Sequence, residues 1–521
     1  MQPTANSASD HIVADQSGIA AFLASPETYG PDVDHVHQID THGAMVFLAG
    51  SLAFKVKRAV KFPYMDFSTL ALRHTACEKE ILVNRRTAPD LYLRVVPITR
   101  ERDGSLALNG DGTPLEWALA MKRFAQKDMF DRMADSGRLT HGLMRDATDA
   151  IAAFHTAARP VEDELGLAWV VEENIAELKE RPDLFPATDV ADFEEKATAM
   201  VERVQPILTA RAAAGRVRHC HGDLHLRNLV LFDGQPILFD AIEFNDAIAF
   251  IDVLYDLAFL LMDLDMRGLP DLANLCLNRY LQRQDELEGL AAMPLFLSTR
   301  AAVRAKVSAS AEGSQQDDAG REAMRQEAKR CFEAARRYLE PAPPDLVAIG
   351  GLSGTGKTTL ARAIAPTRGR PPGAVHLRTD LLRKQLWGAG EFDRLPKDAY
   401  TPDFTENEKV YGTLISRSAA ALAAGQSVIV DAVWLKPDER AAVQAVAERA
   451  GAPFHGIWLT APETAMVARV TARTEDASDA DASVVRLQQS LPAGDIAWTQ
   501  VDADRAPAAV AQKVRDLLEV N

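Results

Sequence analysis

Short apolar runs broken by single polar residues mark the early chain. Met45-Val-Phe-Leu48 and Ala53-Phe-Lys-Val56 are two of several such runs between residues 36 and 100, and they predict strands. From about residue 140 the spacing changes. Ile151-Ala-Ala-Phe154 and Val253–Leu264 place apolar residues at the intervals of a helix face, so this region reads as mostly helical. Gln315–Leu339 reads as a charged helix. Beyond residue 345 the pattern alternates: Leu346–Ile349, Leu360–Ile364, Val428–Val430, Arg440–Ala450 and His455–Leu459. That alternation predicts a parallel sheet with helices on both faces.

Between the two patterns stands Pro341-Ala-Pro-Pro344, which cannot continue a helix. A boundary at about residue 344 divides residues 1–344 from 345–521. The division has an electrostatic side. The chain of 521 residues carries 58 Lys and Arg against 74 Asp and Glu, a net charge of −16. Residues 345–521 hold 20 basic and 22 acidic residues, so nearly all the negative charge lies before them. An acidic chain without a broad basic stripe is a poor generic binder of nucleic acid or anionic membrane. Four scattered cysteines exclude a disulfide scaffold and a cysteine zinc ribbon. Met1–Ala14 is polar, which predicts no signal peptide, and no run reaches 18 apolar residues. These features predict a cytoplasmic enzyme.

Gly351-Leu-Ser-Gly-Thr-Gly-Lys-Thr358 has the G-x-x-x-x-G-K-[ST] spacing, with a strand before it and a helix after it. Glycines let backbone N–H groups converge on phosphate oxygens, and the helix N-terminus adds its positive dipole end. The expected nucleotide contacts are Gly351, Ser353, Gly354, Thr355, Gly356, Lys357, Thr358 and Thr359. Lys357 would bridge the β- and γ-phosphates, and Thr358 would hold Mg²⁺. Asp380 and Asp431 follow predicted strands, where α/β sheets form their ligand crevice. Either carboxylate suits a substrate hydroxyl or a hydrated Mg²⁺, and Asp380 also suits a helix N-cap. Arg469 and Arg473, four apart, suit a lid over the transferring phosphate or a solvated helix face.

The second part resembles small P-loop kinases that phosphorylate hydroxyl groups: gluconate kinases, zeta toxins and the 5′-kinase module of polynucleotide kinases. The resemblance implies that Arg378-Thr-Asp-Leu-Leu-Arg383 is the substrate segment, with Asp380 as base and Arg383 as substrate contact. It implies that Arg469 and Arg473, with Asp476–Asp479 after them, belong to the lid.

In the first part, His221-Gly-Asp-Leu-His-Leu-Arg-Asn228 resembles the catalytic loop of aminoglycoside and choline phosphotransferases, which share the protein-kinase fold. The resemblance implies a small lobe of about 1–125 and a helical lobe of about 126–340. One carboxylate must orient the acceptor hydroxyl while an amide a short loop away binds metal. Asp223 takes the first role and Asn228 the second. Asp240 would bind Mg²⁺, Glu243 would be a second metal or substrate contact, and Asp256 would brace the loop. Ala53-Phe-Lys55 is similar to the A-x-K of the third kinase strand, which pairs Lys55 with Glu80 and leaves Lys57 as the alternative. Trp117–Met121 would be the interlobe hinge. There is no G-x-G-x-x-G; only Asp40-Thr-His-Gly43 and Gly50 are available as a clamp. The cluster His219, Cys220, His221 and His225 is too tightly spaced for independent metal ligands, and His35, His37 and His42 read as decoration of a strand and turn.

The whole chain therefore resembles bacterial fusions of an aminoglycoside-phosphotransferase-like domain with a P-loop, AAA-type kinase domain. This implies two ATP- and Mg²⁺-dependent centres, each with its own hydroxyl acceptor, small molecule or polynucleotide, and no membrane partner. Two alternatives remain. One is a nucleic-acid 5′-end kinase or toxin-like kinase controlled by the first domain. The other is a non-catalytic nucleotide sensor.

Overall fold

The computed structural model describes residues 12–62, 65–161, 166–315, 317–396, 399, 404–473 and 476–520. Most of the Met1–Ala14 segment lies outside them. Two compact units form. One comprises residues 1–263 and 296–336, the other 264–295 and 337–521. This division cuts the chain differently from a single boundary at residue 344, because residues 264–295 pack with the C-terminal part.

The first unit opens with β1 (Val36–Asp40), β2 (Ala44–Ala49), β3 (Leu52–Lys57), β4 (Tyr92–Arg100), β5 (Leu106–Leu108) and β6 (Thr113–Lys122). They form one antiparallel sheet in the order β1-β2-β3-β6-β4-β5. Strand alternation sorts its faces. Phe47, Phe54, Val56, Ile98 and Ala118 turn to a core with Leu23. Leu48, Ala53, Leu119 and Met121 turn to the other face, where Val230 and Phe239 meet them. Lys55 and Lys57 fall on this second face. Helix Leu70–Asn84 is capped by Thr69, whose hydroxyl accepts from Leu72 N–H at 3.2 Å. Trp117–Met121, the expected hinge, lies inside β6 with β3 and β4 paired on either side.

The following part of this unit is mostly helical, including His141–Ala157 and Asp318–Tyr338. Two short strand pairs shape its site: β7 (Val217–His219) with β10 (Phe250–Asp252), and the hairpin of β8 (Leu229–Phe232) and β9 (Gln235–Leu238).

The second unit holds β11 (Leu346–Gly350), β12 (Val375–Arg378), β13 (Val428–Asp431), β14 (Phe454–Thr460) and β15 (Thr499–Asp502). All neighbours are parallel, in the order β12-β13-β11-β14-β15. Every residue of the central β11 is buried, as a strand covered on both faces requires. Leu360 and Ile364 of helix Lys357–Ile364 join Val510, Val514 and Leu518 in the core beneath it. Among the described residues no helix is long and apolar enough to cross a membrane.

Candidate active sites

In the first unit, Lys55 Nζ lies 2.8 Å from Glu80 Oε1 and 2.5 Å from Asp240 Oδ1. Lys57 is two residues on and shares that strand face. Its Nζ lies 2.5 Å from Glu80 Oε2 and also pairs with Glu243. Glu80 is wholly buried and thus holds both lysines. Glu243, expected as a metal or substrate contact, is instead turned to Lys57. Asp240 stands at φ +61, in the left-handed region, with its N–H on the Tyr92 hydroxyl at 3.0 Å. The next N–H, of Ala241, donates to Asn84 Oδ1 at 2.8 Å. The residues around Asp240 are thus fixed by a helix, a strand and two lysines. Burial pushes its carboxyl up, but Lys55 outweighs this and holds it below its ordinary range.

The catalytic loop is held from beneath by Asp256. Its carboxylate accepts from His221 N–H and Gly222 N–H, each at 2.9 Å, and lies 3.1 Å from His155 Nε2. Burial raises the Asp256 carboxyl, but the His155 bond and neighbouring charges leave it lowered. Arg300 donates to Gly222 O at 3.0 Å and stacks 3.8 Å from the Tyr255 ring. His155, Cys220 and Asp256 come close enough to suggest a metal site, but the loop amides already use both Asp256 oxygens. Gly222, at φ +84, would strain any other residue, and a Cβ there would sit tightly, 3.1 Å from Ile248 O.

Above that support, Asn228 Nδ2 donates to Asp223 Oδ2 at 2.9 Å. This commits the amide nitrogen and leaves the amide oxygen for a hard cation. His225 Nε2 lies 3.3 Å from Asp223 Oδ2. Burial raises the Asp223 carboxyl, but His225, His221 and Arg300 outweigh it and hold it well below the carboxylate range. Sequence reasoning missed His225 as a contact. Its signal was the extended loop backbone, which returns the ring to a residue two positions back. His42 was missed too. It sits in the β1–β2 turn and interacts electrostatically with Asp223, Asp240 and Lys55, so the Asp40–Gly43 turn reaches this site without a glycine-rich pattern.

In the second unit, Gly351–Gly356 link β11 to helix Lys357–Ile364. Gly354 has φ +84, and a Cβ there would lie 2.5 Å from Met466 O, so only glycine fits. Lys357 Nζ bends back to Gly351 O at 2.8 Å and Leu352 O at 3.0 Å. Burial lowers its pKa against the opposing pull of Asp431 and Asp380. Thr355 Oγ1 closes the loop onto Leu352 O at 2.8 Å. Thr358 is half-buried and Thr359 exposed in the first helical turn. Ser353 N–H donates to Gln488 Oε1 of helix Ala482–Ser490 at 2.8 Å, a contact that no motif announced.

Asp431 ends β13 beside the loop and accepts from His376 Nε2 at 2.9 Å, with Arg378 Nε at 3.7 Å. Burial raises this carboxyl, but the His376 bond and nearby cations leave it lowered. Asp380 is not an N-cap. The helix Thr379–Leu386 starts before it, Arg378 holds the cap position, and the carboxylate is half-buried. Arg383 is not turned to an open cleft. It is buried, donating to Ala399 O at 2.9 Å and Asn407 Oδ1 at 2.7 Å. Arg469 and Arg473 diverge. Arg469 donates to Gly354 O at 3.4 Å and Ala503 O at 2.9 Å, whereas Arg473 faces Asp476 at 3.7 Å. Buried Arg378 also bonds Asp476, at 2.9 Å, and ties the segment around Asp476 to β12.

Family models match both parts of the chain. The model of the phosphotransferase enzyme family matches residues 79–294, and that of an AAA domain matches residues 346–491. An uncharacterised protein of Mycobacterium tuberculosis (strain ATCC 25618 / H37Rv) is 29% identical over 470 residues, covering 88% of this chain and 90% of the relative. The N-acetylmuramate/N-acetylglucosamine kinase of Caulobacter vibrioides is 29% identical over 171 residues, 31% of this chain and 46% of that protein. Among solved structures, a choline/ethanolamine kinase family protein from Mesorhizobium loti covers 62% of this chain and 98% of its own, at 13% identity and TM-score 0.37. A gluconokinase from Sinorhizobium meliloti 1021 covers 34% and 97%, at 21% identity and TM-score 0.23. The chain is an ATP-dependent phosphotransferase that joins a kinase-like phosphotransferase domain to a P-loop kinase-like domain.

Replacing Asp256 by alanine removes the acceptor for two buried amides and a histidine. The full chain should lose about 3–5 kcal/mol in urea unfolding. A loss under about 1 kcal/mol would show that the loop is held by other contacts.

Proposed function

We propose that the two units are separate centres, each passing the γ-phosphoryl of ATP to a hydroxyl group with Mg²⁺ as cofactor. The observation that carries this reading is the bond from Asn228 Nδ2 to Asp223 Oδ2, set opposite Lys55 and Asp240. Asp223 orients the acceptor hydroxyl and takes its proton as the oxygen attacks. Its depressed pKa makes it a weak base, so positioning is its larger share of the work. Lys55 draws charge from the phosphates, and Glu80 fixes Lys55.

The residues suit Mg²⁺. In the first centre Lys55 and Lys57 pair with three carboxylates, Glu80, Asp240 and Glu243, and Asp223 adds a fourth beside Asn228, so the site carries an excess of negative charge and hard oxygen donors. Asn228 and Asp240 would hold the ion there, and Thr358 with Asp431 would do so in the second. When bound, it neutralises charge between the phosphates. In the second centre the loop amides of residues 351–359 and Lys357 bind the nucleotide, and Asp380 accepts the acceptor's proton. Asp431 supports the acceptor side, while Arg469 and Arg473 keep the lid against the loop and Asp476. The buried engagement of Arg383 lends no support to a polynucleotide acceptor. The resemblance to the Caulobacter sugar kinase makes a sugar hydroxyl the first acceptor class to test.

Calorimetry with ATP and Mg²⁺ should find two nucleotides per chain, falling to one in Lys357→Ala; one in the parent would overturn the two-centre reading. Asp223→Asn should abolish transfer by the first centre with ATP affinity little changed, since its work is done in the transition state. Asp240→Asn should instead weaken ATP–Mg²⁺ binding, and equal binding losses would refute this division of roles. Asp380→Ala should lower turnover at the second centre about 10²–10⁴-fold with ATP binding retained. Full turnover in that variant would pass the role to Asp431.

A further inference from the structure

Strand β12 is the edge of the second unit's sheet. It carries His376 and Arg378 and runs directly into Asp380. A parallel edge strand bonds inward through alternate residues and leaves the others facing out. Val375 bonds inward, its N–H donating to Ser427 O at 2.9 Å. The outward groups are taken by side chains. His376 N–H donates to Asn278 Oδ1 at 2.7 Å, and Asn278 Nδ2 donates to Ala374 O at 3.1 Å. Asn274 Nδ2 donates to Pro372 O at 2.9 Å and Ala374 O at 3.0 Å.

Both asparagines stand on helix Pro270–Arg283, four residues apart and hence on one face. The helix is anchored in this unit by buried Ala273, Cys276, Leu277 and Tyr280. It also grips the segment after β12. Arg279 pairs with Glu391 at 2.5 Å, and Gln385 Nε2 donates to Gln282 O at 2.9 Å. An apolar helix would cover the edge equally well but would leave buried amides and carbonyls without partners. An asparagine accepts and donates at once, as a neighbouring strand does.

We propose that Asn278, with Asn274, is a positioning residue of the P-loop centre. It sets the place of β12 along the sheet, so that His376 meets Asp431, Arg378 meets Asp476, and Asp380 is presented to the acceptor. Residues 264–295 are on this account a working part of the second centre. The inference rests on the reading of Asp380 and Asp431 as groups of that centre.

The test uses the full chain carrying Asp223→Asn, which silences the first centre. Turnover of ATP against water, ATP affinity and amide hydrogen exchange of residues 374–379 are measured together. Asn278→Ala should speed exchange at His376 and cut turnover about ten- to a hundredfold. ATP affinity should stay within about twofold, because the loop after β11 is untouched. Asn278→Gln keeps both amide functions but lengthens the arm by one methylene. It should retain exchange protection and melting temperature yet still lose turnover, which a mere brace would not. Unchanged turnover in Asn278→Gln, or unchanged exchange in Asn278→Ala, overturns the proposal. If Lys357→Ala in the same background leaves turnover intact, the signal is not from the P-loop, and it is the underlying reading that fails.

Discussion

A carboxylate shut away from water has to be paired, and Glu80 is paired twice. Desolvating an ion costs several kcal/mol unless close partners offset it. Here Lys55 and Lys57 take one oxygen each, and their remaining reach goes to Asp240 and Glu243. The sheet, the helix Leu70–Asn84 and the loop after β9 are therefore locked by one buried charge. Asp240 holds a left-handed backbone within that frame, its side chain on Lys55 and its N–H on the Tyr92 hydroxyl. The loop of Asp223 is held from Asp256 and Arg300 and is also tied to the segment of Asp240, with His221 Nε2 2.9 Å from Phe239 O and Ile242 N–H donating to His221 O at 3.0 Å.

The second unit combines an apolar central strand with buried charges gathered at its end. Its central strand is wholly apolar and enclosed, and the chemistry gathers where the strands end. Asp431 and the residues of the P-loop lie together because parallel register aligns Ile349, Asp431 and Arg378 across three strands. The segment 476–490 adds polar fasteners at two points, Gln488 on Ser353 and Asp476 on Arg378.

Local sequence carried the parts whose cause is local. The loop Gly351–Thr358 is a short segment with a strand before it and a helix after it, as its pattern predicts, and His221–Asn228 forms a loop held by Asp256. The Lys55–Glu80 pair was legible through the resemblance of Ala53-Phe-Lys55 to the third kinase strand. What stayed hidden depends on groups far apart in the chain. Glu243 could not be seen to prefer Lys57, 186 residues away. Arg383 matches a substrate motif, yet its guanidinium is committed to Ala399 and Asn407. Arg469 and Arg473 share a four-residue spacing, but the helix Glu463–Thr471 ends between them and sends them apart. His42 and His225 gave no periodic signal because turns and loops place them. The division of the chain was hidden for the same reason. Proline marks where a helix must stop, but it does not say which sheet edge an earlier helix covers.

That last point bears on inheritance. Residues 264–295 belong with 337–521, while 296–336 return to the first unit, so the two are interleaved along the gene as well as joined. A recombination event at Pro341–Pro344 looks neutral on the sequence, yet it would carry off a sheet stripped of the helix that blunts its edge. Bare edge strands pair with whatever chain offers a partner, which makes such a fragment prone to aggregation. A cut before residue 264 would instead leave the helix Pro270–Arg283 on the strand edge it covers.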